Sequence, residues 1–361
     1  MRLLHEQVLG GIVIAALVAA GMLVADEPEL RRHADELLFA RASRKALTSV
    51  TVSRLELSAD GNTMLTQSRG NANAWQTIAI HNLKNSTAFI PHFSRSFYEN
   101  ICHASLSPEG NSIVLATHTG ELWWIDIETS SATELIKVPA TPFTCTAIGS
   151  SGRIMAGATT DGVVRFFDPT RGIVRTLSPP HHSLVTRLCF SSNSERLLGV
   201  RENGSMIVWE TTTGNVIGDH RPPFSSLPNA VLLPGGHQIL CSTKSGKMQL
   251  RDALSGDEVW CGTEGSIGEL GISTLDVSRS GTLAAWGIGI GHRIVVWDMN
   301  LLQKKLEIEN PSLVLNLKFL PDGKSVAVAG REGIVRIYDT DTGREIRRID
   351  VAHVMDTESR T

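Results

Sequence analysis

Short apolar runs separated by polar, turn-forming clusters recur along most of the chain. The last unit shows the pattern. Leu315 to Leu320, Ser325 to Ala329 and Ile334 to Tyr338 are rich in Val, Ile and Leu, and each is about one strand long. PDGK and GREG separate them; in both, Gly can supply a positive φ and Asp or Glu tolerates a tight reversal. Beyond Asp339, the turn DTDTGRE leads into a fourth run, Ile346 to Val351. The pattern predicts an antiparallel meander of four strands.

The same unit recurs from residue 49 onward with a period of about 42 residues. A first turn anchor falls at Gly61, Gly110, Gly152, Ser194, Gly236, Gly281 and Gly323, with intervals of 49, 42, 42, 42, 45 and 42. A second Gly follows about ten residues later at Gly120, Gly162, Gly204, Gly246, Gly291 and Gly333. Each unit then closes on an alternating segment: IAIHN, LWWID, VRFFD, MIVWE, MQLRD, IVVWD and VRIYD. A four-stranded sheet that is apolar on both faces of its inner strands cannot stand alone. Stacked radially, such sheets bury both faces and leave only short edges. The expected fold is therefore all-β, a seven-bladed β-propeller of four-stranded antiparallel blades over residues 49–352, with 353–361 as a flexible tail.

The repeats resemble those of the WD-repeat propeller family. The best matches are MIVWE around Trp209, IVVWD at Trp297-Asp298, VRIYD at Tyr338-Asp339, and the turns at Gly110 and Gly323. No unit opens with the Gly-His dipeptide frequent in the family; His181-His182 is the nearest substitute. The first unit departs furthest, with Ile80-His81-Asn82 where Leu-Trp-Asp is expected and an expanded turn, RGNANAW. These departures spare the alternation and the turns, and bear on the polar network that rigidifies many family members. The last unit carries its own fourth strand, so no swapped N-terminal strand is demanded.

Val8 to Ala25 is an uncharged run of 18 residues, which as a helix spans ~27 Å at ~1.5 Å per residue, enough for a bilayer core. It reads as a transmembrane anchor over residues 1–26. The alternative is a cleaved export signal, with Val18-Ala19-Ala20 supplying small residues before a cut at Gly21. Arg2 and the amino terminus lie on one flank; Arg31, Arg32, Arg41, Arg44 and Lys45 crowd the other, and two nearby basic groups on each side leave the charge rule nearly balanced. The reading favours an extracytoplasmic propeller. Residues 27–48 show helical spacing through Leu30, Ala34, Leu37, Leu38 and Ala42, a connector helix; part of it could instead form an extra strand on the last blade.

Charge alters the picture by exclusion. With 34 Lys+Arg against 37 Asp+Glu, the net charge of −3 offers no basic footprint for nucleic acid. The five cysteines (Cys102, Cys145, Cys189, Cys241, Cys261) are at least 20 positions apart and fit buried strand positions, not metal or redox pairs. No nucleophile elbow, zinc-protease motif or phosphate loop occurs, and GIGIG at Gly287 to Gly291 falls between two strands as a Gly-rich hairpin. Trp123-Trp124 places one ring on each face of a blade. The reading is thus a non-catalytic protein-interaction scaffold with a monomeric propeller, no cofactor and no metal. Alternatives are a propeller enzyme or small-ligand binder using the central channel, and an accessory or assembly factor of a membrane complex.

The family resemblance implies a partner-binding rim formed by the turns between second and third strands and by the connections between blades. The first set holds His118, Asp161, Arg201, Glu202, Lys244, His292, Arg331 and Glu332, charged or polar tips open to solvent. The second set holds Phe97, Tyr98, His182 and Phe224, the aromatics among them lying in Pro-containing loops where large side chains anchor partners.

Overall fold

The structure is a computed structural model and describes residues 50–70, 76–91, 101–138, 141–177, 183–221, 229–243, 246–262, 271–288 and 292–351. The anchor, the connector and the tail lie outside these residues. Among the described residues no helix is long and apolar enough to cross a membrane.

The described residues form seven antiparallel sheets, each of four strands consecutive in sequence. In the seventh blade the strands are Val314–Phe319, Ser325–Gly330, Ile334–Asp339 and Glu345–Asp350, within a residue or two of the predicted runs. The seven first-turn anchors, six Gly and Ser194, all take left-handed φ values between 59° and 76°. Ser194 holds this conformation through its side chain: its Oγ accepts from the Ser150 N–H at 2.6 Å, on the equivalent turn of the preceding blade.

Period-2 alternation then decides the packing. In the fourth blade, Leu197, Ile207 and Trp209 point into a cluster with the third blade, while Leu198, Met206 and Val208 join one with the fifth. Seven such clusters occur, one at each blade-to-blade interface, so every sheet buries both faces between neighbours. Trp123 and Trp124 likewise pack against different clusters, as their adjacency in a strand requires.

The innermost strands (Val50–Leu57, Ile101–Leu106, Phe143–Ile148, Val185–Phe190, Ala230–Leu232, Ile272–Val277 and Val314–Phe319) touch in succession, and the last touches the first. Side-chain to backbone hydrogen bonds bridge each interface in turn. Glu56 accepts from Leu106 N–H (2.8 Å) and His103 Nδ1 from Thr146 N–H (3.1 Å). Thr144 donates to Val185 O (2.6 Å), Arg196 to Gly236 O (2.8 Å) and Asn229 to Ile272 O (2.6 Å). Asp276 accepts from Phe319 N–H at 2.9 Å.

Among the described residues closure uses no exchanged strand: the first and seventh blades each contain four strands of their own. Their seam is Val52, Leu55, Met64 and Leu83 against Ala327, Ala329, Val335, Ile337 and Val351. Arg347 latches it, donating to Leu83 O and, at 2.9 Å, to Ser86 Oγ.

Candidate functional site

A four-stranded meander has two ends. The turns between second and third strands share one end with the connections to the next blade; the first-to-second and third-to-fourth turns share the other. Topology therefore gathers, at one end of the propeller, those predicted rim residues that lie among the described ones. His118, Asp161, Glu202, His292, Arg331 and Glu332 are all exposed there. His118, Glu202, His292 and Arg331 make no side-chain hydrogen bond to the described residues. Asp161 instead shapes its own turn, accepting from Thr159 Oγ1 (2.6 Å) and Val163 N–H (3.1 Å), and Glu332 accepts from Arg336 at 2.7 Å. Phe97, Tyr98, His182, Phe224 and Lys244 lie outside the described residues.

Arg201 departs from the reading of a solvated tip. It ends the strand Arg196–Arg201, is 1% exposed, and forms a two-pronged ion pair with Asp219 (2.8 and 3.3 Å), with Ser205 Oγ at 3.1 Å. A guanidinium without such a partner would be costly at this depth, so Asp219 fixes it as part of the blade.

The central channel is the second feature, a cavity of about 560 Å³ lined by the inner strands of all seven blades. It runs toward the end opposite the rim, where Ala59, Pro108, Ser150 and Pro321 of the first-to-second turns line it. Arg54, Glu56, His103, Arg187, Arg279 and Lys318 also line it. Arg54 bonds Glu56 through Nε at 3.1 Å and through Nη2 at 2.5 Å. Lys318 Nζ lies 2.9 Å from Asp276 Oδ1. Burial works to lower the Lys318 ammonium, yet the Asp276 charge carries it above its ordinary value. Arg187 is lowered, by burial first and by the charge of Arg54 second, but a guanidinium stays protonated throughout the accessible pH range. His103 is held well below its ordinary value by burial and then by Arg54 and Arg187, which fits a neutral ring whose Nδ1 accepts from Thr146.

These features can be set beside known proteins. A family model described as the WD40 domain of anaphase-promoting complex subunit 4 matches residues 288–356. Human WD repeat-containing protein 3 is 26% identical over 174 residues, an alignment covering 45% of this chain and 18% of that protein. The chain thus meets less than a fifth of its relative's length. The β-propeller domain of Cps50 (Swd1) from Myceliophteria thermophila superposes with a TM-score of 0.64 at 14% identity, covering 80% of this chain and 95% of that domain. A chain of the mitotic checkpoint complex gives 0.64 at 13%, covering 77% and 84%. The chain is thus similar to WD40-repeat proteins over part of its length, and it shares the β-propeller fold of the two solved structures.

The WD40 likeness points to the rim and not to the channel, whose charged residues are not among those expected from the sequence. A signal for them exists. Counting back from each first-turn anchor, the seventh residue is Arg54, His103, Cys145, Arg187, Asn229, Thr274 or Asn316, and the fifth is Glu56, Ser105, Ala147, Cys189, Val231, Asp276 or Lys318. Two residues apart on a strand, these positions share a face. Inner-strand bulges recur at equivalent places in four blades, as the register shifts across Cys102, Thr186, Ser273 and Leu315 show, and such a bulge re-aims the side chains that follow it. Cys145 and Cys241 are buried and Cys102 is partly so, and burial raises Cys102 and Cys145 to about 12 and Cys241 to about 11. In the divergent first unit, His81 stands where the resemblance leads one to expect Trp and lies 2% exposed with Nε2 2.9 Å from Thr66 Oγ1.

Proposed function

We propose that this WD40-type propeller is a non-catalytic scaffold that docks a protein partner on the rim of second-to-third-strand turns. One observation carries the reading. On the rim turns, where the fold needs only a reversal, the chain presents His118, Glu202, His292 and Arg331, exposed and without side-chain hydrogen-bond partners among the described residues. A rigid ring holding chemically different tips on one surface suits recognition and needs no cofactor. The uncharged run Val8 to Ala25 tethers the scaffold to a membrane, with the propeller on the extracytoplasmic side.

Site-specific photo-crosslinking in the full chain tests the docking face. A crosslinker at positions 118, 202 and 331 should capture one protein saturably, and reversing the charges of Glu202 and Arg331 should abolish capture. Positions 109, 151 and 322, on turns at the other end, serve as controls. Equal capture from both ends overturns the reading. Carbonate extraction with protease accessibility tests the tether: a soluble product lacking the first 20 residues removes the anchor and leaves the docking reading standing.

A further inference from the structure

The charges around the central channel do not balance. Among the described residues four cations line it: Arg54, Arg187, Arg279 and Lys318. Two carboxylates face them, Glu56 in the lining and Asp276 against Lys318, leaving an excess of two positive charges (four minus two). Both carboxylates are fully engaged. Glu56 holds Arg54 with one oxygen and Leu106 N–H with the other; Asp276 holds Lys318 with one and Phe319 N–H with the other. Arg187 has no acceptor within hydrogen-bond distance among the described residues, although its strand sets it in the cavity wall. His103 adds no charge, since its Nδ1 accepts from the Thr146 backbone.

A guanidinium left unpaired on the wall of a channel ringed by blades is an uncommon arrangement, because partial burial strengthens its field relative to one on an open surface. Its planar fork fits two oxygens of one tetrahedral anion. The volume, about 560 Å³, lies in the range of small-molecule sites and exceeds what a single phosphate group fills. We propose that the channel binds a small phosphate-type oxyanion, a pyrophosphate or phosphorylated metabolite, gripped by Arg187 with Arg54 and Lys318 as flanking cations. Access is through the end opposite the docking rim, past Arg279, whose Nη1 reaches Ala59 O across the mouth at 3.4 Å. Binding here and docking at the rim use different residues, so either can fail without the other.

The test is isothermal titration of the full chain with pyrophosphate at constant ionic strength, alongside thermal unfolding. The expected result is saturable one-to-one binding with a rise in Tm. Arg187→Gln should weaken it at least tenfold, Arg187→Lys less, and the rim variant Arg331→Gln not at all. Arg279→Gln, which leaves the inner ring intact, should slow or weaken binding and guards against an Arg187→Gln protein that fails to fold. No saturable binding to the unaltered protein overturns the proposal, as does equal binding by the Arg187→Gln and Arg331→Gln proteins.

Discussion

His81 makes acid stability a test of the first blade. Its ring is 2% exposed, pairs with Thr66 Oγ1 at 2.9 Å, and is pushed down from 6.5 to about 4 by burial. The native state therefore keeps His81 neutral where the unfolded chain protonates it. Between the two values the unfolded state binds more protons, so stability is full above the unfolded value and falls as pH drops below it. With the folded value at about 4, the loss from this one residue is about 2 kcal/mol at pH 5 and about 3 kcal/mol at pH 4. The measurement is urea unfolding of the parent and of His81→Gln at pH 7.5 and pH 5. Gln keeps a hydrogen-bonding group beside Thr66 but does not titrate. His103, lowered in the same direction, is present in both proteins, so its contribution cancels in the comparison. The stability difference should shift by about 2 kcal/mol in favour of the Gln protein on going to pH 5. A difference that is flat with pH refutes the burial argument.

Two further outcomes follow from packing and burial. Gly120 sits at φ +85°, and an added Cβ would lie 2.0 Å from the Val138 carbonyl oxygen. Gly120→Ala should cost more than about 2 kcal/mol, combining backbone strain with the clash. The control is Gly271→Ala, also at positive φ (+65°) but with nothing within 4 Å, which should cost only the strain, about 1 kcal/mol. Equal urea midpoints for the two variants would contradict this. Cys102, Cys145 and Cys241, raised to about 12, 12 and 11, should resist Ellman's reagent in the native state at pH 8 and react once denatured. Native reaction rates matching the denatured ones would count against their burial.

The architecture was legible because two periodicities coincide. The repeat of about 42 residues places each turn, and alternation within each strand tells which neighbouring blade a side chain enters. Ser194 shows how little the anchor depends on residue identity once a hydrogen bond to the adjacent turn compensates for a missing Gly. The site was less legible. Arg201 reads as a turn tip because it stands next to Glu202, but its partner Asp219 is 18 residues away on the outer strand and becomes visible only with the register Ile207 opposite Asp219. The channel cations were hidden for a different reason. A strand's polar face looks alike whether it meets bulk water or a closed ring, and only closure brings Arg54, Arg187 and Lys318 to one cavity. Sequence arithmetic at a fixed offset from the turn could have aligned them, but not told that their faces converge.

The Arg347 latch has a mechanical corollary. Six of the seven junctions between neighbouring sheets are also joined by the chain itself; the junction that Arg347 spans links residues up to 264 positions apart and has no covalent bridge. Thermal breathing or applied force would part the ring there first, by shear of interdigitated side chains, with every hydrogen-bonded ladder left intact. Gathering so distant a pair adds little entropy penalty, since each doubling of loop length costs only about 0.6 kcal/mol. A gap at that one place would widen the bore without unfolding a single sheet.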